Sequence, residues 1–272
     1  MNDDKKKNTR KQSIVITDAL GYFKAKCDDT YVKQHDVHII SADEIDKMFV
    51  LEEDKVEDVA ALNAKIEKGG QLDIMDNFTM PTGTTREDRP IFYKNANVNF
   101  HDNIITVPSA LNVEDGLNWC ALYVEEGATV VFDGTENGGI SIDDGVTDED
   151  KDGPYCITNF GGNVTIKGGK YVAHGCCVYG YAGKTVIEGG FFEASPIAMK
   201  GHDTQPWALN LLNEAYKNGT ASFEVKGGTF VNFDPSNPKT DDATSYVAAG
   251  YKVVEEKRSD TITWYHVVPI TK

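Results

Sequence analysis

One eight-residue unit recurs through the second half of the chain and limits its fold more than any other feature. It reads apolar, polar, apolar, polar, Gly-Gly, any residue, apolar. It stands as Val164-Thr165-Ile166-Lys167-Gly168-Gly169-Lys170-Tyr171 and returns as Thr185-Val186-Ile187-Glu188-Gly189-Gly190-Phe191-Phe192. A third copy is Phe223-Glu224-Val225-Lys226-Gly227-Gly228-Thr229-Phe230, and degenerate copies precede these at Val98–Ile105 and Val130–Gly134. The clear copies lie 21 and then 38 residues apart, and the earlier ones 32 to 34. A constant unit at variable spacing describes stacked coils with a fixed strand and turn and a variable loop.

The alternating apolar residues place one face of a strand in the core. The glycine pair permits a turn at positive φ, at an entropic cost of about 0.5–1 kcal/mol per residue. A single coil buries almost nothing, whereas stacked coils about 4.8 Å apart line like residues into ladders. An antiparallel sandwich with Gly-rich hairpins explains the alternation but not the repeated Gly-Gly with an apolar residue two places on. The expected fold is mainly β: a right-handed parallel β-helix, or solenoid, over residues 70–235.

The rest of the chain is read around that repeat. Residues 1–53 are expected to form a small α/β attachment segment, with the first dozen, polar and charged and without apolar periodicity, expected as a mobile arm. Within it, 13–40 suggest two strands, and Ser41-Ala42-Asp43-Glu44 is a capping box before a short helix. Val56, Val59, Leu62 and Ile66 recur at helical spacing, which predicts a capping helix over 54–69 closed by Gly69-Gly70. A helical insertion is expected at about 195–220, where Pro206-Trp207 begins a helix-like pattern ending at Gly219. Trp207 and Leu211 are read as packing residues there. Residues 236–272 are expected to form a C-terminal extension packed on the solenoid.

Charge excludes some partners. The net charge of −16 speaks against nucleic acid and against anionic membrane surfaces. Residues 1–69 hold 12 of the 27 basic and 15 of the 43 acidic side chains, so the acidic excess is concentrated later. No run of eighteen apolar residues occurs, and Ile14-Val15-Ile16 is too short for a signal h-region. The chain is therefore expected to be made and left in the cytoplasm, unless it leaves by lysis or a specialised route. Five cysteines, Cys27, Cys120, Cys156, Cys176 and Cys177, include a vicinal pair and no C-x-x-C, which disfavours both disulfides and zinc.

The C-terminal stretch carries a resemblance. Gly227-Gly228-Thr229-Phe230-Val231-Asn232-Phe233-Asp234-Pro235-Ser236-Asn237-Pro238, then Tyr246–Val254 and Trp264-Tyr265-His266-Val267-Val268, resembles the ending of pectate-lyase-like β-helical proteins of gut bacteria and their phages. The resemblance extends over about 55–268 at the level of fold and over 221–268 in motif. It implies a structural, non-enzymatic virion component, such as a head fibre or auxiliary capsid protein, with the virion as its location. It also implies that residues 1–53 dock on a capsid or other virion protein and that the solenoid projects towards host-surface glycans. A homo-oligomer is compatible with this reading, but the 54–68 stripe is too short for a sustained coiled coil. The alternatives are a β-helical polysaccharide depolymerase and a bacterial surface glycan-binding protein.

Several residues are candidates for chemistry. Asp148, Asp150 and Asp152, followed by Gly153, open like a calcium loop, whose alternate carboxylates turn inward around a hard cation. Asn159 stands where an EF-hand needs a bidentate glutamate, and Pro154-Tyr155 replaces its second helix. A looser Ca2+ site, helped by Asp143 and Asp144, competes with a plain solvated acidic loop, and no cofactor is required. β-Helical lyases use a basic catalytic residue, but Arg10, Arg86, Arg89 and Arg258 all lie outside the three clear copies. Asp143-Asp144 and Gly201-His202-Asp203 only faintly resemble the paired carboxylates of β-helical glycosidases. His174-Gly175-Cys176-Cys177 is read as ordinary packing rather than a Cys–His nucleophile, since neighbours on a strand face opposite ways. His35 and His38 share a spacing suited to metal but lack a third ligand. Tyr155, Tyr179 and Tyr181 offer stacking surfaces for glycan on the coil exterior. No catalytic residue is assigned.

Overall fold

The structure is a computed structural model that describes residues 51–81, 89–108, 120–142, 155–173, 176–194, 207–239 and 244–271. These lie in Leu51–Lys272, one of two compact units of the chain. The other, Met1–Val50, is outside the described residues, and with it the expected strands, the capping box, His35 and His38.

The described chain is mainly β. It opens with a 3-10 turn (Glu52–Asp54), β1 (Lys55–Val56), α1 (Val59–Ile66), β2 (Gly70–Ile74) and β3 (Phe78–Thr79). Two strand triplets follow, β4 (Ile91–Phe92), β5 (Ala96–Asn99) and β6 (Ile104–Val107), then β7 (Cys120–Val124), β8 (Thr129–Asp133) and β9 (Gly139–Ile142). In the next two turns the first pair of strands fuses: β10 (Tyr155–Ile166) with β11 (Lys170–Ala173), and β12 (Cys176–Ile187) with β13 (Phe191–Ala194). The last turn comprises β14 (Trp207–Leu211), α2 (Asn213–Lys217), β15 (Ala221–Val225) and β16 (Thr229–Val231). A hairpin of β17 (Tyr251–Lys257) and β18 (Thr263–Pro269) ends it.

Successive triplets pair in parallel, each strand with its counterpart in the next. Ile91 lies beside Tyr123 in the first ladder, which continues through Leu122, Ile157, Val178 and Leu209. In the second, Leu72, Val98, Phe132, Ile166, Ile187 and Val225 stand in register. The third aligns Phe78, Ile105, Ile140, Tyr171, Phe192 and Phe230. These strands form a ten-stranded and an eight-stranded sheet, and their inward residues make one continuous buried cluster. Within it Tyr171, Phe192 and Phe230 stack with centroids 5.1 and 4.9 Å apart and rings nearly parallel.

The Gly-Gly turn has a division of labour that spacing alone does not reveal. The second glycine adopts the left-handed region, with φ of +94° at Gly169, +104° at Gly190 and +98° at Gly228. The first glycine is needed for space. A Cβ at Gly168, Gly189 or Gly227 would overlap the carbonyl oxygen of Gly134, Lys167 or Glu188 in the preceding turn. Hydrogen bonds from Glu188 N to Ile166 O and from Lys226 N to Ile187 O, both 2.7 Å, draw the turns into that contact.

Three local expectations are corrected. The helix read over 54–69 spans only Val59–Ile66, capped by Asp58, whose Oδ1 accepts from Ala61 N at 2.7 Å. Lys55 and Val56 pair instead with Asp73 and Ile74, so Val56 enters the core from a strand, while Leu62 and Ile66 enter it from the helix. The helix read from Pro206 is a strand over Trp207–Leu211, because pairing with β12 buries both Ala208 and Leu209; the helix is confined to Asn213–Lys217. Leu211 is buried in the core and Trp207 packs half-buried against it. The early degenerate copy is also shifted, since Ala96, not Val98, stands opposite Val130.

The two kinds of glycine requirement are separable by mutation. Gly189→Ala, which meets backbone, is expected to cost at least about 2 kcal/mol. Gly219→Ala, at φ +71° with nothing within 4 Å of its Cβ, is expected to cost only about 1 kcal/mol. Urea denaturation of both variants measures this; equal losses would show that backbone contact is not what the first glycine provides.

Candidate surface site: an aromatic strip over a buried cysteine row

Strands usually bury one face, but β7 is buried on both, from Cys120 to Val124. Ala121, Leu122 and Val124 join the main core, whereas Cys120 and Tyr123 belong to a second cluster with Tyr155 and Cys176. Register produces this cluster: Cys120 stands opposite Tyr155, Cys176 opposite Trp207, and Tyr123 opposite Thr158, which itself lies opposite Tyr179. Half-buried Ile91, Phe160 and Tyr179 pack against it.

The cluster extends outward as a strip of rings. Tyr155 and Tyr179 lie 5.7 Å apart, Tyr179 and Tyr181 6.5 Å, Tyr181 and Phe160 4.8 Å, and Phe160 and Tyr123 5.5 Å. Tyr181 occupies a β-bulge: Asn159 pairs with Gly180 and Phe160 with Ala182, leaving Tyr181 the extra residue. The same corner is fixed from inside by the buried Asn159. Its Nδ2 donates to Gly162 O, Lys184 O and Thr185 Oγ1 at 3.1–3.2 Å, and its Oδ1 accepts from Gly161 N. A rigid backbone thus holds Phe160 and Tyr181 side by side at the surface.

All three tyrosines expected from the sequence fall in this strip, but at different depths. Tyr181 is 36% exposed, Tyr179 is half-buried, and Tyr155 is only 9% exposed, so its ring serves mainly as support. Phe160 and Tyr123 were not anticipated. Phe160 precedes Gly161-Gly162 in a stretch that resembles the repeat, which was the available signal. Half-exposed rings on a fixed surface offer an apolar face with a hydroxyl at the edge, a combination suited to ligands that are apolar on one side and polar on the other.

Cys120 and Cys176 beneath the strip, and Cys156 and Cys177 on the main-core side, are buried thiols without disulfides. Cys120 Sγ donates to Leu122 O, Cys176 Sγ to Val178 O and Cys177 Sγ to Tyr171 O, at 2.9, 3.1 and 3.3 Å. Burial pushes the Cys120 pKa up to about 12 and drives those of Cys156, Cys176 and Cys177 well above the ordinary thiol value. A thiolate nucleophile at neutral pH is disfavoured by this environment. His174 lies outside the described residues, as do Asp143, Asp144, Asp148, Asp150, Asp152, His202 and Asp203. Among the described residues no three His, Cys, Asp or Glu side chains gather as a metal site, and no helix is long and apolar enough to cross a membrane. No family model, curated protein or solved structure matches the chain.

Buried thiols give stability a particular pH dependence. A thiol whose pKa rises on folding keeps its proton after the unfolded chain has lost it. Its contribution is whole below the unfolded value of about 8.5 and declines above it by up to about 1.4 kcal/mol per pH unit. The urea midpoint is therefore expected to fall between about pH 8 and about pH 10. Cys120→Ala combined with Cys177→Ala should flatten that fall, and an unchanged slope would assign it to other groups.

Proposed function

We propose that the parallel stack is a right-handed β-helix and that the protein is a non-enzymatic structural component of a phage virion, a head fibre or auxiliary capsid protein. In this reading residues 1–53 anchor the chain to a capsid or other virion protein. The stack then projects outward and meets host-surface glycans through Tyr179, Tyr181 and Phe160.

The observation that supports a projecting role is the parallel pairing carried from turn to turn in all three ladders, with ring on ring at Tyr171, Phe192 and Phe230. An in-register stack around one continuous buried core resists bending, as a spacer requires. Right-handed connection is the overwhelming preference of parallel strands joined by crossovers, because strand twist favours that return. The virion setting rests on the resemblance carried by residues 221–268. The glycan reading rests on the bulge that brings Tyr181 beside Phe160, since aromatic faces match the C–H faces of sugar rings while hydroxyls reach their edges.

Two measurements test this. Removing residues 1–50 is expected to abolish incorporation into particles while leaving Leu51–Lys272 folded by circular dichroism; an unfolded product would sink the anchor reading. On a panel of uronate-rich and neutral polysaccharides, with and without calcium, retention without turnover is expected. Tyr181→Ala and Phe160→Ala should each weaken retention about tenfold, roughly 1.4 kcal/mol. Release of unsaturated products or reducing ends, lost in Asp144→Ala or Asp203→Ala, would replace this reading with a depolymerase.

A further inference from the structure

The C-terminal hairpin leaves β17 at the end of its sheet, paired among the described residues with β18 alone. Its hydrogen-bond phase can be deduced. Gly250 O accepts from Ile270 N at 2.8 Å and Arg258 N donates to Ile262 O at 2.9 Å, and the intervening register is unbroken. Antiparallel ladders alternate, so Lys252, Val254 and Glu256 exchange bonds with β18, while Val253, Glu255 and Lys257 aim their N–H and C=O groups at the open edge. On the outward face stand Lys252, Val254 and Glu256; Tyr251 and Val253 pack against the core. Val254 is a large apolar side chain 42% exposed in the middle of that face.

We propose that β17 pairs antiparallel with β17 of a second copy of this chain, about a two-fold axis through Val254. The sequence Tyr251-Lys252-Val253-Val254-Glu255-Glu256-Lys257 is complementary to itself in that register. Val254 meets the second copy's Val254, and Lys252 meets the second copy's Glu256, twice by symmetry. Val253 and Glu255 become the hydrogen-bonded pair, using the groups that point outward. Val254 and the two Lys–Glu contacts then fall at non-hydrogen-bonded positions, where side chains approach most closely.

Neighbouring registers lack this match. An axis through Val253 sets Lys252 against Val254 and makes no opposite-charge contact on the outward face. An axis through Glu255 opposes Glu255 to itself and Lys252 to Arg258. Axes through Lys252 or Glu256 oppose like charges at the centre. Glu256 is already held by Arg258 and by His266 Nε2 at 3.0 Å, contacts that lower its pKa and keep it ionised. Its two oxygens have lone pairs for a third partner. The pairing is isologous and closed, so it stops at a dimer. It does not depend on the virion reading.

The test is sedimentation of the full chain over a micromolar concentration series, with charge variants. The expected result is a reversible monomer–dimer equilibrium. Lys252→Glu and Glu256→Lys should each raise the dimer Kd about tenfold or more, since both symmetric contacts turn repulsive. The double exchange should restore it to near the original value. If Glu256→Lys fails to fold through loss of Arg258 and His266, Lys252→Glu carries the test, because Lys252 has an exposed side chain. In a Cys27→Ser background, Val254→Cys should form an intermolecular disulfide on mild oxidation, because the paired Cα atoms lie within bridging distance. Lys257→Cys should not. A monomer throughout, a dimer indifferent to Lys252→Glu, or crosslinking at 257 in place of 254 would overturn the proposal.

Discussion

The contact of one turn's backbone with the next at the Gly-Gly corner is the constraint on which the remaining structure depends. At Gly168, Gly189 and Gly227 the Cα lies so close to a carbonyl of the preceding turn that no side chain fits between them. The following glycine then reverses the chain at positive φ. The corner leaves each turn directly over its neighbour, which holds the second and third ladders in phase. A wider corner would tilt successive turns, and residues at equivalent positions would no longer meet.

Because the phase is kept, the spacing of the core is inherited from hydrogen bonds rather than chosen by side chains. Tyr171, Phe192 and Phe230 stack at 5.1 and 4.9 Å, close to the strand spacing of about 4.8 Å. Nearly parallel rings at such centroid distances gain about 0.5–1.5 kcal/mol per pair beyond their burial. Earlier turns have longer corners and use a different solution. There Phe100 lies nearly parallel to Phe132 but at a wider 6.2 Å and edge-on to Tyr171, and His101 takes a φ of +48° where a glycine would otherwise serve. The buried His101 compensates by placing Nε2 2.8 Å from Asp73 Oδ1, so a polar contact helps to order the turn that has no glycine pair.

That difference explains what was legible in the sequence. The three clear copies predicted strand, corner and inward residue at their observed positions because all three were written locally. The copy near Val98 was misplaced by two residues because Asn95, Ala96 and Asn97 carry no glycine pair, and only pairing with Val130 fixes their register. Lys55-Val56 and Trp207–Leu211 were read as helix because short apolar runs have no decisive period. Parallel neighbours, Ile74 for one and Val178 for the other, decided them as strands. The aromatic strip was half visible for the same reason. Tyr179 and Tyr181 stand together in the chain, but Phe160 joins them only through a bulge on an adjacent turn, and the depth of Tyr155 follows from its neighbours Cys120 and Tyr179.

A parallel stack must also solve its ends, where unpaired N–H and C=O groups would template further strands. At the early end, α1 contributes Leu62 and Ile66 to the core, and two-residue β1 leaves little edge to pair with. At the late end the chain changes direction, so β18 covers β16 antiparallel and sets Tyr265 against Phe230. This moves the edge to β17, whose Lys252, Glu255, Glu256 and Lys257 burden an arbitrary partner with unmatched charge. Charges of both signs on one short strand do more than repel, however. Their order determines which strand can be accommodated, since rejection of unsuitable partners and acceptance of one complementary partner arise from the same groups. An edge protected only by lysine would reject a second copy as firmly as anything else. The alternation found here penalises all the neighbouring registers by omission or by repulsion and satisfies the one centred on Val254.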